Sequence, residues 1–152
     1  MHYPPHLWLS LPIVLSLTAT SSVSAADLVV TVSGIRKAKG EIGVALFSSA
    51  TGFPLDTRDA RQIWLPAPGS SSTTVQHTFA DLAPGRYAAA VSHDLNGNRK
   101  TDTNWLGMPL EPWGVSNGIR PRLRAPTFSE ALIEISAGTE AVPAKITVSL
   151  RD

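Results

Sequence analysis

Residues 28–33 read Leu28-Val29-Val30-Thr31-Val32-Ser33, with a large apolar side chain at every second position. This two-residue period is typical of a strand that buries one face. The segment Ile42-Gly43-Val44-Ala45-Leu46 repeats the period after a polar turn at residues 34–40 that is rich in Lys and Arg. We therefore predict that the two segments are neighbouring strands of a β-hairpin.

Five further segments have strand character, and none of the chain shows convincing helical periodicity. These segments are residues 61–65, 73–79, 87–94, 131–135 and 146–150. Before the third of them, Pro84 and Gly85 predict a type II turn, since proline presets φ and glycine supplies a positive φ. Seven short strands joined by turns predict an all-β fold, a single β-sandwich of about seven strands.

The N-terminus reads as a targeting segment. Residues 7–17 form an apolar run that is too short to span a bilayer comfortably, and small residues follow it up to Ala25 and Ala26. We predict a signal peptide at 1–25 and one domain at 26–152, although no Lys or Arg precedes Arg36. The alternative is an uncleaved anchor. Cleavage would make the protein periplasmic or extracellular, with no stable membrane span.

Composition excludes several classes of function. The 152-residue chain has no cysteine, which rules out disulfides, thiol catalysis and cysteine-ligated zinc. Its formal net charge of +1 gives no field that would favour nucleic acid. The predicted secretion leads us to expect an envelope or extracellular partner. The local cluster Arg120, Arg122 and Arg124 is interpreted as solvated loop residues, with a polyanion-docking patch as the alternative.

Residues 96–126 resist assignment to strands. About thirty residues without regular structure are unusual inside a compact domain, and such loops are often functional. The loop follows the strand that ends at Asp94, and its first part carries oxygen-bearing side chains at alternate positions. We therefore expect this long ordered loop to be the functional region.

The alternating oxygens match the ligand spacing of a calcium loop. If Asp94 is position one of the calcium loop, oxygen-bearing groups also occupy positions three, five, seven and nine. Glu111 is available to complete the coordination shell of the ion. The candidate ligands are Asp94, Asn96, Asn98, the Lys100 carbonyl, Asp102 and Glu111. The pattern departs from an EF-hand at Arg99 and Trp105, which replace its Gly and Glu. Self-capping of the loop through Asx-turns, without a metal, is an equal alternative.

A catalytic role is the weakest interpretation of this region. His93 with Glu111 would supply an acid–base pair for a hydrolase. However, no Gly-x-Ser-x-Gly nucleophile motif occurs, and a lone histidine at the end of an apolar strand face is more often a hydrogen-bonded core residue. We therefore interpret the protein as a non-enzymatic binding or structural module.

Two tryptophans, Trp105 and Trp113, bracket the middle of the loop. Trp105 directly follows the polar residue Asn104. Trp105 and Trp113 would serve a glycan- or peptide-binding domain by stacking on sugars or peptides. Alternatively, they anchor the loop onto the sandwich, and anchoring is the interpretation that we favour.

At this point the residues resemble a known bacterial family, domain of unknown function 2141. The shared pattern begins at Leu82-x-Pro84-Gly85-x-Tyr87 and continues through His93-Asp94-x-Asn96-x-Asn98 to Pro126-x-Phe128-x-x-Ala131. Its central part also includes Asp102-Thr103-Asn104, Gly107-Met108-Pro109-x-Glu111, Gly114 and Ser116-Asn117. The sequence departs from the pattern at Arg99, Pro112-Trp113 and Val115.

The resemblance implies a small secreted, periplasmic β-sandwich of the immunoglobulin-like or transthyretin (prealbumin)-like kind. It implies no reaction and no cofactor beyond the candidate Ca²⁺. It adds Ser116 and Asn117 to the ligand-binding candidates His93, Asn104, Trp105 and Trp113. Arg99 stands where the pattern has Gly, which would strain the loop if that position needs a positive φ.

Overall fold

A computed structural model of the protein describes residues 25–107, 109–137 and 144–151. The predicted signal peptide at 1–25 lies, apart from Ala25, outside these residues. The described part contains eight strands and one 3₁₀ turn, Ser116–Gly118. The strands are β1 (Ala26–Ser33), β2 (Glu41–Phe47), β3 (Arg61–Pro66), β4 (Val75–Leu82), β5 (Gly85–Asp94), β6 (Trp113–Val115), β7 (Leu132–Ile135) and β8 (Ala144–Ser149).

The strands form two sheets. One has three strands in the order β4-β1-β8, and the other has β3-β2-β5-β6 with β7 also paired to β5. The pairing is antiparallel throughout except between β1 and β8, which run parallel. β7 pairs with the first part of β5, and β6 pairs with its second part, at Ala90 to Ser92. The predicted all-β class is confirmed.

The inward-facing side chains of both sheets form one hydrophobic core. The apolar positions of β1 and β2 that the alternation singled out are all buried in it, together with residues of β4, β5, β7 and β8. Each such side chain contributes about 1.5–3 kcal/mol by leaving water. The core residues that β1 and β2 contribute at these alternating positions are Leu28, Val30, Val32, Ile42, Val44 and Leu46.

The predicted hairpin of β1 with β2 is wrong. β1 pairs with β4 and β8, whereas β2 pairs with β3 and β5, so the polar turn crosses from one sheet to the other. Alternation requires that both strands face a core, and two strands on opposite sides of one core satisfy it equally well. The period therefore identifies the strands and leaves their partners open.

The corner before β5 also differs from its prediction. Gly85 begins β5, and the left-handed residue of this corner is Asp81, with φ 56°. The corner is fastened instead by the Tyr87 hydroxyl, which donates to the Ala83 carbonyl at 2.8 Å. The side chain thus replaces the glycine-dependent turn that we expected.

All seven predicted strands are present, and the eighth lies within the long loop. β6 has only three residues, Trp113–Val115, and it is hard to recognise in the sequence because Pro112 precedes it and Gly114 is its middle residue. It divides the predicted 96–126 loop into two parts. Among the described residues, no helix is long and apolar enough to cross a membrane.

The outer face of the five-stranded sheet is only partly covered. At one end, Phe53 and Phe128 pack on Phe47 and on small residues of β2 and β5. The Phe47 and Phe53 rings meet edge to face with centroids 5.2 Å apart, and Phe53 meets Phe128 in the same way at 5.9 Å. The other end of this face stays open and forms the floor of a cleft.

Candidate functional site

Asp94 ends β5 and organises the loop that follows it, residues 94–102, which we call the Asp94 loop. Its side chain is fully buried, and one oxygen accepts the backbone N–H groups of Asn96 at 3.1 Å and Gly97 at 2.7 Å. The second oxygen accepts the N–H of Arg99 at 2.6 Å. A buried carboxylate that satisfies three loop donors fixes the start of the loop.

The loop continues as a series of side-chain turns. The Asn96 amide oxygen accepts the N–H of Asn98 at 3.0 Å, and the Asn98 amide oxygen accepts the N–H of Lys100 at 2.8 Å. The two amide nitrogens donate to the Asp102 carboxylate at 2.6 and 3.1 Å. The structure therefore brings Asn96, Asn98 and Asp102 together at the end of β5, as their spacing predicts.

Arg99 has a left-handed backbone conformation, as the resemblance implied for this position. Its φ is 56°, in the left-handed region that costs a non-glycine residue about 1–2 kcal/mol. Its guanidinium forms two hydrogen bonds with Glu41 on β2, at 2.8 and 2.9 Å. These bonds lower the pKa of the Glu41 carboxyl. The ion pair ties the loop to the strand beside β5 and offsets part of the backbone strain.

Glu111 is the candidate ligand that has a buried oxygen without a hydrogen-bond partner among the described residues. The side chain is buried, and its Oε1 accepts the N–H of Leu95 at 2.8 Å. Its Oε2 is also buried and has no hydrogen-bond partner among the described residues. A buried polar atom without a partner typically costs about 1–3 kcal/mol, so this oxygen is a candidate for a ligand or a bound water.

The described residues hold no group of three or more His, Cys, Asp or Glu side chains arranged to bind a metal ion. A cation in the Asp94 loop would therefore depend on amide and backbone oxygens as well as on carboxylates. Ca²⁺ accepts such mixed oxygen ligands. A carboxylate oxygen that accepts one N–H retains a lone pair, so capping does not exclude ligation.

His93 and Glu111 are each engaged with the backbone. The His93 ring is buried, and its Nε2 forms a 2.7 Å hydrogen bond with the Lys39 carbonyl. Its backbone N–H donates to the Pro112 carbonyl at 2.9 Å. This arrangement is that of a hydrogen-bonded core histidine, which positions the segment after β1 and the segment before β6.

Ser116 and Asn117 fasten the turn after β6. The buried Ser116 hydroxyl accepts the N–H of Ala89 at 3.0 Å and donates to the Ala131 carbonyl. The Asn117 amide donates to two backbone carbonyls in the segment leading into β7, at 3.2 and 3.0 Å. Both side chains are therefore occupied by structural bonds, and Asn104 likewise caps the N–H of Leu106 at 2.9 Å.

The two tryptophans of the long loop have different environments. Trp105 is 90% exposed, so its predicted anchoring role is wrong. The residue lies in a turn that is closed by the N–H of Gly107, which donates to the Asn104 carbonyl at 2.9 Å. Trp113 is partly buried in β6 and packs against the buried residues around Phe47 on the outer face of the five-stranded sheet. The Arg120 guanidinium lies 4.7 Å from the centroid of its ring. Anchoring therefore holds for Trp113 alone.

Trp113 also belongs to a row of residues that crosses the five-stranded sheet. Strand register places Trp64 beside Gly43, Gly43 beside Ser92, and Ser92 beside Trp113. A Cβ added to Gly43 would lie 2.7 Å from the Trp64 ring, which shows that this ring packs directly against the glycine. The row is therefore an aromatic platform at one side, a small-residue floor, and a second tryptophan at the other side.

The row forms the floor of a cleft of about 390 Å³, which we call the outer-face cleft. Loops at residues 54–58, 99–101 and 124–126 contribute to its walls, together with Gly107 and Pro109. The Asp94 loop thus supplies one wall through Arg99, Lys100 and Thr101. This volume falls within the usual range for small-molecule sites.

The cationic side chains at the cleft are mostly neutralised. Arg58 pairs with Asp56 at 2.5 Å, and Arg124 pairs with Glu130 at 2.6 Å. Hydrogen bonds from these arginines lower the pKa of Asp56 to about 2 and that of Glu130 to about 2, with further help from backbone N–H donors. Lys100 is the exception, since its ammonium has no partner among the described residues. The rim is thus polar without a strong net field.

Sequence reasoning missed Trp64 and Gly43. The available signal was the small outward-facing residues of β2 and β5, Gly43, Ala45, Ala88, Ala90 and Ser92, which alternate with larger inward ones. Apart from Phe47 at the end of β2, these outward-facing residues are small, which leaves space for something else to cover them. Recognising that Trp64 covers Gly43 requires the register between β2 and β3.

Comparison with known proteins gives one match. A family model described as an uncharacterised protein conserved in bacteria matches residues 30–143. The matched range contains the whole Asp94 loop, both tryptophans of the outer-face cleft and every strand from β2 to β7. No curated protein and no solved structure matches the chain.

Proposed function

The chain belongs to the bacterial DUF2141 family, and from this premise we propose that it is a secreted, non-enzymatic binding module that holds a saccharide in the outer-face cleft. The family is uncharacterised, so the proposal rests on the site itself. The observation that carries it is the row Trp64–Gly43–Ser92–Trp113, in which two indoles flank a floor of small residues. Secretion rests on the predicted signal peptide, which makes the partner an envelope or extracellular molecule.

The finer fold assignment belongs to the same proposal. We propose an immunoglobulin-like or transthyretin-like β-sandwich for the two packed sheets. The bond from the Tyr87 hydroxyl to the Ala83 carbonyl supports the immunoglobulin-like alternative, because such sandwiches use a tyrosine at this kind of corner. In that architecture, loops gathered at one end and on one face are the usual binding elements.

A saccharide suits the outer-face cleft better than a peptide or a polyanion does. Aromatic faces offer flat apolar surface for stacking, and the polar rim offers hydrogen-bond groups to hydroxyls. A peptide that adds a strand needs a free sheet edge, whereas this cleft lies on a sheet face. The rim arginines are held by carboxylates, so they do not create the field that a polyanion requires. A neutral or singly charged sugar is the expected ligand.

Binding to a glycan array is the test of this proposal. We expect Trp64→Ala and Trp113→Ala each to weaken binding of the array hits by about 30-fold, which is about 2 kcal/mol for a buried aromatic contact. Trp105→Ala is the matched control, since Trp105 does not line the cleft. Melting temperatures of all variants separate lost binding from lost folding.

The proposal fails if no array member binds, or if Trp105→Ala abolishes binding while Trp64→Ala leaves it unchanged. The second outcome would return the site to the Trp105–Trp113 pair that the sequence suggested. A phenylalanine at position 64 keeps an aromatic face on Gly43 and should retain most of the affinity. Loss of binding in that variant alone would point to the indole N–H rather than to stacking.

A second candidate function is ordering of the Asp94 loop by Ca²⁺. The convergence of Asn96, Asn98 and Asp102, together with the unpartnered Oε2 of Glu111, favours it. Ligation by the two amides requires each to turn its oxygen toward Asp102. Bound Ca²⁺ would then replace the two amide-to-carboxylate hydrogen bonds by stronger ion–oxygen contacts.

Calorimetry of the purified protein with CaCl₂ tests the calcium proposal. We expect heat of binding and a higher melting temperature at millimolar Ca²⁺, and we expect Asp102→Ala to abolish both. Asp102 is the right position because its removal leaves the backbone caps of Asp94 intact. Absence of both signals in the unaltered protein would leave self-capping as the function of these side chains.

A further inference from the structure

Four of the large apolar side chains that are exposed lie on two segments that both border the outer-face cleft. Trp105, Leu106 and Leu110 are 90%, 64% and 68% exposed, and Leu123 is 96% exposed. Soluble proteins rarely display such side chains together, and when they do, the patch usually marks a contact with a protein or a membrane. Neither the saccharide proposal nor the calcium proposal uses them.

The first segment is a narrow hairpin, which we call the 102–110 hairpin; its described residues are 102–107, 109 and 110. Thr103 bridges Pro109, and the N–H of Leu110 donates to the Asp102 carbonyl at 2.8 Å. At the tip, the N–H of Gly107 donates to the Asn104 carbonyl at 2.9 Å. These bonds hold Trp105 and Leu106 at the tip of a formed turn.

The second segment carries Leu123 between Arg122 and Arg124. Both segments border the outer-face cleft, since Gly107 and Pro109 of the hairpin line it and so does Arg124, the residue after Leu123. The Arg124 guanidinium is held by Glu130, whereas Arg122 is exposed and has no partner among the described residues. Lys100, also without a partner, lines the same cleft.

We propose that the 102–110 hairpin and Leu123 dock on an anionic lipid surface. Four side chains are too few to supply the roughly 800 Å² per partner, from about 20–30 residues, that a stable protein interface buries. Tryptophan and leucine side chains on the hairpin tip can instead enter the headgroup region of a bilayer, to a depth of about 5–10 Å.

The charges around the tip complement an anionic lipid surface. The ammonium of Lys100 and the guanidinium of Arg122 are both available to lipid phosphates. Each cation near an anionic surface strengthens binding by about fivefold. The nearby carboxylate of Asp102 is held within the Asp94 loop by hydrogen bonds from the amides of Asn96 and Asn98.

Co-sedimentation of the purified protein with vesicles tests this proposal. With vesicles of phosphatidylcholine and phosphatidylglycerol, we expect binding together with a blue shift of tryptophan emission, because the exposed Trp105 would enter the bilayer. Vesicles of phosphatidylcholine alone should bind more weakly. The double variant Trp105→Ser/Leu106→Ser should lose at least tenfold in binding and should also lose the blue shift.

Two further variants sharpen the result. Arg122→Gln should weaken binding to the anionic vesicles by about fivefold and leave the emission shift at saturation unchanged. Gln76→Ser on β4, in the other sheet, is the control and should bind like the unaltered protein. The proposal is overturned if anionic vesicles do not bind, or if the double variant binds as well as the unaltered protein. It is also overturned if the protein self-associates and the double variant is monomeric, since the tip would then be a contact between copies.

Discussion

Replacing Gly40 with alanine is expected to destabilise the protein by about 3–5 kcal/mol, measured by chemical denaturation. Gly40 precedes β2 with φ +79°, and an added Cβ would lie 2.0 Å from the Asp94 carbonyl oxygen. The left-handed backbone costs alanine about 1–2 kcal/mol. The remainder comes from overpacking, because the clashing atom belongs to a buried strand end and cannot rotate away.

Gly97→Ala is the matched control for that variant. Gly97 has nearly the same φ, +80°, but its added Cβ would meet nothing within 4 Å. This variant should cost only the backbone term of about 1–2 kcal/mol. Equal losses for the two variants would show that the close approach of Gly40 to Asp94 does not constrain the fold.

Asp94→Ala is the second variant with a large expected effect, a loss of about 3 kcal/mol in stability. The buried carboxylate accepts three backbone N–H groups, and alanine would leave all three without their acceptor. A buried donor without a partner costs about 1–3 kcal/mol, although water at the loop surface will reach some of these groups. The measurement is denaturation in the presence of a chelator, so that any loss of bound calcium is kept separate.

Asp102→Ala is the comparison for Asp94→Ala. Asp102 is partly exposed and accepts only side-chain amides, which can turn to water instead. Its loss should cost under about 1 kcal/mol in the same buffer. A larger loss for Asp102→Ala than for Asp94→Ala would contradict the role of Asp94 as the organiser of the loop.

Much of the fold could be predicted because one physical signal dominates it. Inward-facing residues at every second position identify β1 and β2, since burial of one sheet face produces that period. The partners of β1 could not be predicted, because its parallel pairing with β8 joins segments more than a hundred residues apart. β6 could not be predicted, because three residues between a proline and the next turn are too few to show the two-residue period of a strand.

The candidate site likewise has one part that could be predicted from the sequence and one part that could not. Asp94, Asn96, Asn98 and Asp102 are close in sequence, so their spacing alone indicates that they converge. The outer-face cleft depends on contacts across strands, and only the register of β2 with β3 shows that Trp64 lies on Gly43. The anchoring prediction for Trp105 is wrong for a related reason, because a sequence does not show whether a side chain in a loop is buried or exposed.

The two halves of the site are physically connected. Arg99, Lys100 and Thr101 belong to the Asp94 loop and also line the outer-face cleft. Any change that loosens this loop should therefore weaken ligand binding in the cleft, even at positions that do not touch the ligand. Asp94→Ala and Gly40→Ala are expected to behave in this way, and variants in β4 are not.

The most direct measurement of the central claim is a crystal structure of the protein soaked with the oligosaccharide that binds best on the glycan array. We predict density for a sugar ring in the outer-face cleft, stacked on the indole of Trp64 or Trp113. Density at another surface, with the cleft occupied only by solvent, would contradict the assignment of this cleft as the binding site.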